Sequence, residues 1–245
     1  MLRIEDHYLD GIPVTIYEKD DGKEKPILYF FHGFTSNRHD GMMGRGEDLA
    51  NMGFFVVVLD AYLHGERQPE YFKHWTNAEK QREINNIVIQ TAKDAKRLYH
   101  KYFKHYPQVK TDGIYAYGIS MGAAICFYLA TIMEEVKTIV TLVGSPSLYA
   151  FYLEKKARFG WEENDYLKRN LDEYKERCPL LHPERFRDIN IFMGTGLQDQ
   201  VVPRIYAEEL YHKLNRDNVV YKTYDVGHNA TGQMQEDAYA FIRAY

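Results

Sequence analysis

The chain has 245 residues, 45% hydrophobic and 27% charged, with a mean hydropathy of −0.51. That is enough to bury one large core without staples, at a length common for a single α/β domain. A net charge of −4 with acids and bases interspersed leaves no basic footprint for nucleic acid, and no apolar run approaches the length of a membrane span. Two cysteines, Cys126 and Cys178, make no disulfide framework, and the N-terminus lacks an apolar leader core; both predict a cytoplasmic location.

Residues 2–8 and 12–18 alternate apolar and polar side chains around Asp10-Gly11, a hairpin signal. After the solvated run 20–25, Pro26-Ile-Leu-Tyr-Phe-Phe31 reads as a strand buried on both faces, ending in His32-Gly33-Phe34. A short helix near 47–51 closes at Gly53, and a second buried strand, Phe54 to Leu59, runs into Asp60-Ala-Tyr-Leu-His-Gly-Glu-Arg67. One long helix is expected from about Asn77 to Phe103, capped by Thr76 or Asn77. Its apolar positions Ile84, Ile87, Val88, Thr91, Ala95, Leu98 and Tyr102 keep helical spacing. A strand over 114–117, a helix from Met121 to about Met133 and a strand over 137–143 follow.

Residues 145–187 then break the rhythm. They offer aromatic side chains and charged helical stretches near 148–157 and 164–177, but no strand, and read as an inserted cap within one domain. The alternation resumes with a strand at 189–193, a helix at 203–214 opened by Pro203, a strand at 219–224 and a C-terminal helix near 233–244. Strands alternating with helices predict a mostly parallel sheet covered on both faces, with an antiparallel edge from the first hairpin. Chemistry in such sheets gathers beyond the C-terminal ends of the strands.

One of the four serines, Ser120, stands at such an end in Gly118-Ile-Ser-Met-Gly122, between a strand and a helix. This is the pattern of a nucleophile elbow, in which strained backbone projects the hydroxyl above the sheet and flanking glycines relieve crowding. The plain alternative is a glycine-containing turn with an idle serine. A serine hydroxyl needs a base to take its proton and an acid to orient that base. Asp199 and His228 follow later strand ends, in the order Ser, Asp, His.

These motifs resemble the α/β-hydrolase superfamily, in particular small serine esterases of the dienelactone-hydrolase and prolyl-oligopeptidase-like branch. H-G-F at 32–34, D-A-Y-L-H-G-E-R at 60–67, G-I-S-M-G at 118–122, G-L-Q-D-Q-V-V-P at 196–203 and V-G-H at 226–228 carry the likeness over residues 26–245. The resemblance implies an α/β-hydrolase fold with a small helical cap, Ser120 as nucleophile, His228 as base and Asp199 as orienting acid. It places the oxyanion hole at the backbone N–H groups of Phe34 and Met121. Dienelactone hydrolases have cysteine as nucleophile; serine here favours ordinary ester hydrolysis.

Asp199 could instead be a loop carboxylate, and Asp225, just before His228, is a rival acid on a short tether. His32 is expected to brace its loop. Tyr62 and His64 either line the substrate pocket or hold their own loop, Trp161 in the aromatic cap is a further substrate contact, and Cys126 is expected in the core. With no HExxH or CxxC motif, no metal is expected, and Gly41 to Gly46 lacks the lysine–serine/threonine pair of a phosphate loop, so no cofactor is expected either. The resulting expectation is a carboxylic ester hydrolase acting on small to medium acyl or aromatic esters, with a small molecule as its partner. Thioesterase, acyltransferase or a slow hydrolase-fold receptor are the alternatives.

Overall fold

Two interleaved sets of side chains on the buried strands decide how this chain folds. Residues 1–39 and 44–245 are described by a computed structural model; the phosphate-loop reading at 41–46 therefore falls partly outside the described residues. β1 (Leu2–Leu9) and β2 (Ile12–Lys19) form the expected hairpin, with Leu9 opposite Ile12 across a turn at Asp10-Gly11. β3 (Lys25–Phe31), β4 (Phe55–Leu59), β5 (Val109–Ile119), β6 (Val136–Leu142), β7 (Asn190–Gly196) and β8 (Val219–Tyr224) complete an eight-stranded sheet. Its order is β1-β2-β4-β3-β5-β6-β7-β8, antiparallel up to the β2–β4 pair and parallel from β4 onward.

Successive side chains on a strand point to opposite faces. On β3, Ile27, Tyr29 and Phe31 enter one core with α4 (Ile84–Lys101), α5 (Met121–Ile132) and α8 (Ile205–Leu214). Leu28 and Phe30 enter the other, with α1 (Arg45–Asn51) and α9 (Gly232–Ala244). A run apolar on both faces is what a strand covered twice needs, so helices lie on both sides of the sheet.

The expected helix from Asn77 to Phe103 requires correction. Besides a short α2 (Glu70–Lys73), the structure has α3 (Asn77–Arg82) and α4 as separate helices. Glu83 N–H closes on Lys80 O in a tightened turn, and Ile87 N–H restarts the ladder on Glu83 O. Only the second segment buries a face. α4 carries the apolar stripe onto the sheet, whereas α3 buries no residue, and its end is held from the far side by Tyr166 OH on the Glu83 carboxylate (3.0 Å). Thr76 is the N-cap, in a reciprocal capping box with Glu79.

β6 and β7 are neighbours, so residues 145–187 form the connection between them. They fold as α6 (Leu148–Phe159), α7 (Asp165–Lys175) and a single 3₁₀ turn over 183–186. Leu148, Phe151, Tyr174 and Phe186 join the main core, while Tyr152, Trp161 and Leu171 form a small cluster of their own. Cys126 is fully buried in the core, and burial pushes its thiol well above the ordinary range.

Candidate active site

Because β3 to β8 all run the same way, the loops after them meet at one end of the sheet. The sharpest is the turn from β5 into α5. Ser120 sits there with φ 56° and ψ −113°, a conformation L residues rarely adopt. A Cβ on Gly118 would lie 2.1 Å from Gly122 O, and one on Gly122 would lie 2.0 Å from Phe31 O. The two glycines therefore press against each other and against β3, which lets the serine hydroxyl stand clear. Ser120 N–H is anchored to Leu142 O of β6 (2.8 Å). Thr35, Leu63 and Val143, in the turns after β3, β4 and β6, also have positive φ.

The turns after β7 and β8 are zipped together by Leu197 N–H on Tyr224 O (2.8 Å) and Gln198 N–H on Val226 O (3.0 Å). This brings Asp199 against His228. The Asp199 side chain is 2% exposed. Its Oδ1 accepts from the N–H groups of Val201 (2.8 Å) and Val202 (2.9 Å), leaving Oδ2 to accept from His228 Nδ1 at 2.7 Å. With Nδ1 donating, Nε2 presents its lone pair, and Ser120 Oγ lies 2.9 Å from it. Asp225 is engaged elsewhere: its Oδ1 accepts from Gln198 Nε2 at 2.7 Å.

Phe34 follows β3, and Met121 opens α5, where the first N–H groups have no carbonyl one turn back. The loop carrying Phe34 is pinned to the β4 loop in two ways. His32, 1% exposed, accepts from Ala61 N–H at Nε2 (3.0 Å), so Nδ1 carries the proton and donates to Gly33 O (2.8 Å). Burial holds its imidazole below the ordinary range, with Gly33 O and Asp60 opposing, in keeping with a neutral ring. Asp60, fully buried, accepts from Arg38 N–H (2.8 Å), from the Arg38 guanidinium (2.7 Å) and from Glu66 N–H (3.0 Å). Sequence reasoning missed Arg38; its only signal was a lone cation shortly after His32-Gly33-Phe34.

A cavity of about 70 Å³ opens beside Ser120, between Phe34 and Met121, and its further walls include Ile84, Leu148, Phe151, Lys155, Val201 and Val202. None of the three expected substrate contacts lines it. Tyr62 is held to α4 by its N–H on Thr91 Oγ1 (2.9 Å), with Arg67 over its ring. His64 donates from Nδ1 to Tyr62 O (3.0 Å), touches the edge of Phe34 and lines a separate, polar hollow; burial pushes its pKa down to about 4. Trp161 folds back on Tyr152 and Phe159, with ring centroids 5.5 and 5.6 Å away, and so ties α6 to its own neighbours. Among the described residues, no group of three His, Cys, Asp or Glu side chains could hold a metal ion, and no helix is long and apolar enough to cross a membrane.

Residues 99–190, which include Ser120 but neither Asp199 nor His228, match the family described as BAAT/acyl-CoA thioester hydrolase C terminal. No curated protein matches the chain by sequence. Among solved structures, TT1662 of Thermus thermophilus is similar over 100% of this chain and 98% of its own, with 18% identity and a TM-score of 0.78. Acetyl xylan esterase 1 of a Thermoanaerobacterium species is similar over 98% of this chain and 83% of its own, with 19% identity and a TM-score of 0.70. An esterase of Pyrococcus furiosus is similar over 100% and 93%, with 20% identity and a TM-score of 0.62.

Proposed function

From the α/β-hydrolase fold of the chain, we propose a serine hydrolase that cleaves carboxylic esters through an acyl-enzyme on Ser120. The observation that carries this reading is the hydrogen-bonded chain from Ser120 Oγ through His228 to the buried Asp199 carboxylate. Ser120 Oγ attacks the carbonyl carbon as its proton passes to His228 Nε2, and the Asp199 carboxylate stabilises the resulting imidazolium. The N–H groups of Phe34 and Met121 receive the oxyanion, the partial positive charge of the α5 N-terminus adding to the second. His228 then protonates the leaving oxygen, and water activated by the same imidazole releases the acid. The narrow cavity favours a short acyl group, and α6, which forms part of its wall, gives residues 145–187 the role of a cap.

Thioester hydrolysis is a second reading, favoured by the family match over residues 99–190. Acyl transfer would use the same acyl-enzyme with an acceptor other than water. A cytoplasmic location belongs to the proposal as well, supported by two buried, unbridged thiols. The test is a panel of p-nitrophenyl acyl esters and acyl thioesters, run on wild type and Ser120→Ala, with organophosphonate labelling. Turnover that Ser120→Ala abolishes, with one adduct at Ser120, supports the hydrolase. Labelling without turnover of any member points to a hydrolase-fold receptor, and labelling at another serine refutes the nucleophile.

A further inference from the structure

The wall of the cavity beside Ser120 is apolar apart from Gln81, Ser145, the serine itself and Lys155, and it includes no aspartate or glutamate. A lysine in that position normally turns its ammonium to water or to a carboxylate, because burying an unpaired charge is costly. Among the described residues Lys155 forms no ion pair, although its neighbours do find partners. Lys156 pairs with Glu163 at 2.8 Å, and the Glu154 carboxylate accepts from Tyr206 OH. The Lys155 ammonium instead lies over two rings, 5.0 Å from the centroid of Phe151, itself part of the cavity wall, and 5.8 Å from that of Phe159. Partial burial, reinforced by Arg158 and opposed by Glu154, pulls this ammonium below the ordinary lysine range, so a guest anion would restore what desolvation removes.

The cavity includes Ser120, Phe34 and Met121 in its lining but not His228. A leaving group must stay within reach of His228 Nε2 to be protonated, so the part of the substrate that fills this cavity is the acyl group. We propose that the preferred acyl group is a short one ending in a carboxylate, received by Lys155, which makes Lys155 a specificity-determining residue. This rests on the serine-hydrolase reading above and narrows its substrate to half-esters, or half-thioesters, of short dicarboxylic acids.

The experiment compares monoethyl succinate with its neutral isostere ethyl isocaproate, followed by pH-stat titration, alongside phosphonate labelling of Ser120 and thermal unfolding. Wild type is expected to prefer the half-ester in kcat/KM. A hydrogen bond to a charged group supports a change of about 10–100-fold in that preference when Lys155→Met removes the ammonium but keeps the stem. Lys155→Arg should retain the preference and Lys155→Glu should reverse it. Parallel losses on both esters in every variant would make the lysine structural and overturn the inference. Equal wild-type turnover of the two esters, with Ser120 labelled, overturns it while leaving the serine-hydrolase reading intact. Failure on both esters with Ser120 unlabelled overturns that parent reading, and the inference with it.

Discussion

Asp199→Asn tests the site where the geometry makes the sharpest demand. The amide keeps one oxygen, and the two N–H groups of Val201 and Val202 that now bond Oδ1 hold that oxygen in place, since turning the amide would set donors against donors. The NH₂ group must then face His228 Nδ1, which has to accept instead of donate. The imidazole proton moves to Nε2 and points at Ser120 Oγ, the atom from which the base should be removing a proton. Loss of the correct tautomer in a serine protease triad lowers kcat by about 10⁴, roughly 5.5 kcal/mol of transition-state stabilisation, and a similar loss is expected here. Both backbone bonds survive, so the melting temperature should change little. The assay is kcat on the best p-nitrophenyl ester with thermal unfolding in parallel, and with Asp225→Asn as the comparison. A folded Asp199→Asn protein within about tenfold of wild type, or a larger loss from Asp225→Asn, would refute the argument.

The remaining predictions concern the loop and the buried imidazole beside it. Phe34→Pro deletes one proposed oxyanion donor and should cost about 10²–10³ in kcat, whereas Phe34→Ala keeps the N–H and should mainly alter KM; a folded Phe34→Pro enzyme with wild-type kcat places the donor elsewhere. His64, with its pKa pushed from 6.5 down to about 4, binds its proton more readily unfolded than folded. Its neutral state therefore contributes stability that is full above pH 6.5 and drains away as pH falls towards 4, up to about 3 kcal/mol. Urea unfolding of wild type and His64→Gln across that window should show the variant losing less on acidification; equal slopes would sink the assignment.

Much of this site is legible in the sequence, because its parts follow short local rules. Ser120 is marked by glycines two positions either side, and Asp199 by Val201-Val202-Pro203, whose first two N–H groups bond its carboxylate. Both rules act within a few residues. Of the two braces of the Phe34 loop, His32 is legible beside it, but the Arg38–Asp60 pair is not, because it spans 22 residues and joins two loops whose approach only the sheet order determines. The cavity wall is lost for a different reason. Aromatic richness in 145–187 draws attention to Trp161, yet helical phase decides which side chains look inward, and Leu148, Phe151 and Lys155, spaced one turn apart along α6, are those that line the cavity. The break at Glu83 has one trace in the pattern: the apolar stripe begins only at Ile84, so nothing in 77–82 required a continuous helix.

Positive φ at Thr35, Leu63, Ser120 and Val143 has a bearing on how this protein can change. Apart from the serine these side chains are branched or bulky, and all four stand in turns after successive strands at the end of the sheet that carries the candidate site. The other non-glycine cases, Asp10 and Asn215, are residue types that tolerate the left-handed region. Each strained residue forgoes on the order of 1–3 kcal/mol that the rest of the fold must supply. Stabilising substitutions are therefore concentrated where they are least neutral: relaxing Val143 or Leu63 to glycine would ease the backbone while loosening the rim that aligns Ser120, His228 and the Phe34 loop. An engineer or a lineage seeking thermal tolerance has freer choices at the hairpin edge and on the outer helices, and the rim is where stability and turnover should trade against each other.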